Sequence, residues 1–165
     1  MKWQFKTMKT NHALKMTNQK GFSLIELVIV MFVISILAGI TVSVYIGMKP
    51  SIRLSGATRQ IMGDLMWARM QAISQNNEFR IIYDNNYQYS ILDDDNNNGT
   101  SNAGELLIQK NIREKYYDVT YSSNNTDDLV FFPRGNATNL ATITITNASG
   151  AKTVKIAVTG RVKKE

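Results

Sequence analysis

Twelve consecutive residues hold the chain's densest set of oxygen ligands. Asp94-Asp95-Asn96-Asn97-Asn98-Gly99-Thr100-Ser101-Asn102-Ala103-Gly104-Glu105 fits D-x-[DN]-x-[DN]-G-x5-E, the spacing of calcium-binding loops. Ligands would come from Asp94, Asn96, Asn98, the Thr100 carbonyl and Glu105, with Asn102 acting through water. Gly99 would supply the tight turn that bends the loop around the ion. Asn in place of Asp at two ligand positions lowers the charge, and strands rather than helices are expected to flank the loop. The competing reading is a solvated loop joining two strands. Any calcium held here would be structural and weak, of the ~10⁻⁴–10⁻³ M class.

A second candidate lies at the C-terminus. From Arg134 onward there are six basic residues against the single acid Glu165, whereas residues 81–133 carry three basic against nine acidic. The tail Gly160-Arg161-Val162-Lys163-Lys164 could grip phosphates through Arg161, Lys163 and Lys164, or could be a solvated end whose Gly-Arg serves the fold. No catalytic constellation accompanies these two. The 165 residues include no cysteine, and the one histidine, His12, lies in the first 21. Disulfides, thiolate-zinc sites, Ser-His-Asp and Cys-His chemistry are excluded together once that stretch is removed. Asp64 and Glu78 have no partner carboxylate at a useful spacing. An enzyme is not expected.

The elements that must position these residues begin with a membrane segment. Leu27 to Ile46 are 20 positions without a charge, enough at about 1.5 Å per residue for a ~30 Å hydrocarbon core. Five lysines and no acid precede it within the first 21 residues, and the rest of the chain carries 14 basic against 13 acidic. That lysine-rich flank should stay in the cytoplasm, with the C-terminal bulk outside. The apolar run is longer than a secretory signal's, and the small residue, Gly21, precedes it instead of following it. An ordinary signal anchor would satisfy span and charge alone. Glu26 is the anomaly, because a carboxylate one turn inside an apolar segment costs a few kcal/mol unless paired or protonated. A cut after Gly21 would give Phe22 a free α-amine four residues before Glu26, on the same helix face. The amine of a neighbouring copy could serve equally.

Gly21-Phe22-Ser23-Leu24-Ile25-Glu26-Leu27 resembles the prepilin motif G-F-[ST]-L-I-E-[LV] of type IV pilins and pseudopilins. The resemblance implies cleavage between Gly21 and Phe22 by a prepilin peptidase, N-methylation of Phe22, and a part for Glu26 in registering subunits in a filament. Because that machinery is prokaryotic, the Asn-x-Ser/Thr triplets at Asn98, Asn124, Asn136 and Asn147 read as turn chemistry.

Beyond the span, Leu54, Ala57, Ile61, Leu65, Ala68 and Ala72 recur on one helical face, widened by Met62, Met66 and Ile73. Arg53, Arg59 and Arg69 are left pointing outward. The helix is expected to run from Phe22 to Gln75 and end at Asn76-Asn77, with Pro50 kinking or breaking it. The pattern then alternates: Phe79–Tyr83, Tyr87–Leu92, Glu105–Ile112, Tyr116–Tyr121, Asp128–Phe132, Ala141–Thr146 and Thr153–Val158 read as strands. The fold class is α+β: a pilin-like arrangement of one long N-terminal helix, its first half spanning the membrane, packed on a small antiparallel β-sheet domain. The divisions are 1–21 basic leader, 22–48 transmembrane helix, 49–77 amphipathic stalk helix and 78–165 β-sheet domain. Trp67, Tyr116, Tyr117, Tyr121, Phe131 and Phe132 are assigned to the core.

Within the pilin class, Ala68-Arg69-Met70-Gln71-Ala72-Ile73-Ser74-Gln75-Asn76, Phe132-Pro133-Arg134-Gly135 and Thr159-Gly160-Arg161-Val162 resemble segments of the GspH/FimT pseudopilin family. The resemblance implies a minor pseudopilin of a type II secretion pseudopilus. The alternative is a FimT-like type IV minor pilin that binds DNA in natural transformation or primes pilus assembly. Implied partners are a prepilin peptidase, other pseudopilins or pilins in a filament, an inner-membrane assembly platform, the lipid bilayer and, in the alternative, DNA. The implied location is the bacterial inner membrane, single-pass, with the N-terminus cytoplasmic and the C-terminal domain periplasmic or extracytoplasmic, incorporated in a pseudopilus or pilus.

Overall fold

Ser23 opens the helix as the apolar run demands: its carbonyl accepts the Leu27 N–H at 3.2 Å, and serine is a favoured N-cap. In the computed structural model, which describes residues 21–125 and 127–165, α1 runs from Leu24 to Gln75. The leader lysines and His12 lie outside the described residues. The chain divides into two units, Met1–Val42 and Ser43–Glu165. In the first, and on to Lys49, every described residue is exposed. The hydroxyls of Ser35 and Thr41 return to the carbonyls four residues back, each at 2.8 Å, so they need no outside partner.

The break expected at Pro50 does not occur: α1 continues as one helix through it. The segment after it is held from outside the helix. Asn147 Nδ2 donates to the Pro50 carbonyl at 2.8 Å and to Asp118 Oδ2 at 3.1 Å. Asp118 in turn accepts Arg53 Nε at 2.6 Å and Nη2 at 2.9 Å. Arg53 is therefore tied to the sheet domain and does not point free. The helix stops where expected. Asn76 takes a left-handed φ of 57°, which asparagine tolerates, and Asn77 N–H bonds the Ala72 carbonyl at 3.2 Å.

The central predicted face is the observed one: Leu54, Ala57, Ile61, Leu65, Ala68 and Ala72 are all at most 3% exposed. Of the residues expected to widen it only Met62 packs against the core, while Met66 and Ile73 are exposed at 46% and 49% because the sheets cover a narrower stripe. The three alanines let backbone approach backbone. What they meet is two four-stranded antiparallel sheets. Strands β1 (Glu78–Tyr83), β2 (Gln88–Asp94), β3 (Leu107–Asn111) and β5 (Leu129–Phe131) form one, in the order β3-β2-β1-β5. Strands β4 (Thr120–Ser123), β6 (Ala141–Asn147), β7 (Gly150–Ile156) and β8 (Val162–Lys164) form the other, in the order β4-β6-β7-β8. Phe79, Ile81 and Ile91 from the first sheet and Ile143, Ile145, Val154 and Ile156 from the second join the helix face in one core.

Three strand expectations are corrected, and so is the reading of the tail. The strand expected over Thr153–Val158 runs from Gly150 to Ile156 and leaves Val158 in an exposed turn. Glu105 belongs to a loop, and β3 starts at Leu107. Tyr116 to Val119 are not strand. Asn111 ends β3 by accepting Arg113 N–H on its side chain at 3.0 Å, which starts a single 3₁₀ turn, Ile112–Glu114. Tyr117 is 69% exposed, not core; Arg53 stacks over its ring at 4.5 Å. Tyr116 does pack inward, against Gly56, where a Cβ would lie 2.6 Å from the ring. Finally the tail is not loose: Val162–Lys164 is the edge strand β8.

Candidate functional site

Three regions carry the sequence-predicted residues. In the first, Gly21, Phe22 and Ser23 precede α1 and are exposed. Glu26 lies in the first turn, where the positive end of the helix dipole favours a carboxylate. Ser23 and Glu26 also have the S-x-x-E spacing of a capping box, a signal the residue pattern offered and that reasoning from charge pairing missed.

In the second region the candidate ligands turn inward on their own loop. Asp94 is fully buried. Its Oδ1 accepts Asn98 N–H at 3.0 Å, and its Oδ2 accepts Gly99 N–H at 2.8 Å and Arg80 Nη2 at 3.2 Å. Asn96 Oδ1 accepts Asn98 N–H at 3.1 Å, and Asn98 Oδ1 accepts the Thr100 N–H and hydroxyl, each at 2.8 Å. The Thr100 carbonyl accepts Asn102 Nδ2 at 2.9 Å, and Glu105 Oε2 accepts Asn102 N–H at 2.8 Å. Gly99 does make the expected turn, with φ 77°. Among the described residues, no three His, Cys, Asp or Glu side chains converge to hold a metal. The positive charge that meets the loop comes from outside it: Arg80 on β1, fourteen residues before Asp94, a partner that the loop pattern does not contain. A Cβ on Gly99 would sit 3.3 Å from its guanidinium. Beside the loop, Asn77 Nδ2 bridges Asp93 and Asp95, at 2.6 Å to each. Burial, together with the neighbouring carboxylates, holds the Asp93 carboxyl above the usual range.

The third region joins the three segments that suggested the finer resemblance. Arg69 Nε donates to the Gly135 carbonyl at 2.7 Å, and Nη2 reaches the Thr159 carbonyl at 3.5 Å. Arg69 thus crosses from the helix to two turns, correcting its expected outward orientation. Gly135 and Gly160 are both buried with φ of 77° and 73°. A Cβ on Gly160 would stand 1.9 Å from the Gly135 carbonyl oxygen and 2.7 Å from Arg69 Nε. Only glycine fits, so Gly160 in the Gly-Arg pair is a packing residue. Arg161 remains exposed beside it. On β8, side chains alternate, so Lys163 shares a face with Arg161 and with Lys155, its register partner on β7. Lys164 points to the other face. Glu165 pairs with Lys155 at 2.5 Å and offsets part of the charge.

The chain matches two family models. One, described as type II transport protein GspH, covers residues 57–160. The other, the prokaryotic N-terminal methylation motif, covers residues 16–42. No curated protein matches by sequence. Among solved structures, the type IV minor pilin FimU of Pseudomonas aeruginosa is similar at 21% identity and TM-score 0.56, over 68% of this chain and 87% of FimU. The minor pseudopilin EpsH of the Vibrio cholerae type 2 secretion system is similar at 14% identity and TM-score 0.54, over 68% of this chain and 96% of EpsH.

Proposed function

The chain belongs to the family of the type II transport protein GspH, a type IV pilin-like minor subunit, and from that premise we propose that it serves in a type II secretion pseudopilus. In this reading it is a structural subunit with no enzymatic step. Prepilin peptidase cuts between Gly21 and Phe22 and Phe22 is methylated, as the methylation motif implies. The protein then sits in the bacterial inner membrane with its C-terminal domain periplasmic, contacts the assembly platform, and enters the filament beside other pseudopilins. The observation that carries this reading is the match to the GspH model. The first half of α1, exposed at every residue from Leu24 to Met48 and apolar there apart from Glu26, Ser35, Thr41 and Ser43, supports its membrane and filament placement. A surface of that size is untenable in water. A bilayer covers it first, and neighbouring apolar helices cover it in a filament. No cofactor is required for this work; calcium, if held at Asp94–Glu105, would stiffen the loop.

Deletion of the gene in its host tests the proposal. Secreted proteins should accumulate in the periplasm while DNA uptake continues. Unimpaired secretion with lost DNA uptake would overturn it in favour of a type IV minor pilin. That second reading is favoured by one feature, the shared face of Arg161, Lys163 and Lys155. With Lys155 engaged by Glu165, two phosphate contacts remain on this face, and a log–log salt slope of roughly −2 is expected for DNA binding. Binding with that slope, lost when Arg161 and Lys163 are changed to alanine, would support it.

A further inference from the structure

The four outer edges of the two sheets are not equally protected. Along β5, Thr138 bonds Val130 through both N–H and hydroxyl, and Ala137 bridges Phe131. Along β4, Tyr121 N–H is taken by the Asn86 carbonyl at 2.8 Å. Strand β8 is lined by Arg161, Lys163 and Lys164, and charges of this kind blunt an edge. Among the described residues, strand β3 has none of these protections: it pairs with β2 alone, and its one charged side chain, Lys110, leans back towards Asp64 on α1 at 3.9 Å.

The register shows which backbone groups β3 leaves open. Asp93 N–H bonds the Leu106 carbonyl and Ile112 N–H bonds the Tyr87 carbonyl. With Ile91 opposite Ile108, the residues that exchange hydrogen bonds with β2 are 106, 108, 110 and 112. The N–H and C=O groups of Leu107, Gln109 and Asn111 therefore face outward. Leu106 and Leu107, 49% and 39% exposed, flank this row. A cleft opens on each face of the same strand. One, of about 250 Å³, is bounded by Trp67, Ile108, Asp64 and Lys110. The other, of about 450 Å³, is bounded by Gln109, Asn111 and Gln88 with the carboxylates of Asp84 and Glu114, and Lys110 alongside.

We propose that β3 is a docking edge for an extended segment of a partner protein, in which apolar residues alternate with basic ones. The open backbone row would bond the segment as an added strand, and alternate side chains would fall into the two clefts. The apolar side chains would rest on Trp67 and Ile108, and the basic ones beside Asp84 and Glu114.

The probe is a labelled twelve-residue peptide alternating valine and lysine, with the same peptide N-methylated at every second amide as its control. Fluorescence anisotropy is read with the full processed chain in detergent micelles. The wild-type chain should bind the probe about tenfold or more tightly than the methylated control, the loss expected for two or three backbone hydrogen bonds. Gln109→Pro removes an outward N–H and no ladder bond, and should weaken binding by a similar factor. Lys164→Pro, on the opposite free edge, should bind as wild type. If Gln109→Pro does not fold, as judged by its melting transition, Leu107→Lys with Gln109→Lys takes its place, with the same loss expected. Equal binding of both peptides, or of Gln109→Pro and wild type, overturns the proposal. So does failure of the wild-type chain to bind, including the case in which Gln109→Pro abolishes self-association, which would assign the edge to a second copy.

Discussion

Gly160→Ala should cost the fold far more than the same change at Gly99, although the two glycines have nearly the same backbone, φ 73° and 77°. Each alanine would suffer the left-handed strain of about 1–2 kcal/mol. At Gly99 the nearest atoms to the new Cβ are the end of the Arg80 side chain at 3.3 Å, which can shift. At Gly160 the nearest is a backbone oxygen at 1.9 Å, so the two turns must part. Parting them adds about 1–3 kcal/mol of overpacking and strains the Arg69–Gly135 bond, whose charged donor makes it worth about 1.5–3 kcal/mol. A total of about 3 kcal/mol or more is expected at Gly160 against about 1–2 at Gly99. For a chain of this size the gap corresponds to roughly 3–8 °C in Tm. Trp67 is the one tryptophan after residue 21 and meets Phe79 edge-on at 6.1 Å, so its fluorescence in the processed chain follows the domain alone. Equal losses for the two variants would refute the interlock and free the Gly-Arg pair for a purely surface role.

Three further outcomes are expected. Arg53 holds the Asp118 carboxyl below its ordinary value, chiefly through their hydrogen bond; a depressed folded-state pKa gives stability that is present above the unfolded pKa and lost as pH falls through the folded one. Urea midpoints of the wild type should therefore drop between pH 5 and pH 3, and Asp118→Asn, weaker at pH 7, should drop less, as read at a series of pH values. Any rise in Tm on adding millimolar calcium should be abolished by Asp94→Ala with Glu105→Ala, and no rise in the wild type would make the segment a loop closed by Arg80. Glu26→Val should be cut at Gly21 as before, by mass of the mature chain, yet enter filaments less, and undiminished incorporation would sink the pairing role of Glu26.

Much of this protein was legible in its residues because the physics there is local. The N-terminal segment announces itself through Gly21, Phe22, Glu26 and twenty uncharged positions. The helix face from Leu54 to Ala72 follows from a 3.6-residue period, and its end from a left-handed asparagine. The Asp94–Glu105 turn follows from side chains that bond amides two to five residues away. What local pattern could not supply was the direction of long side chains. Arg53 and Arg69 look outward on a helical wheel, yet each meets an acceptor 65 or 66 residues away. Arg80 lies fourteen residues from the carboxylate it neutralises. The division into two sheets, the three-residue strand β8 and the open edge of β3 arise in the same way. Each depends on which distant backbone lies alongside, and that is decided only when the sheets close on the helix and exclude water from one core.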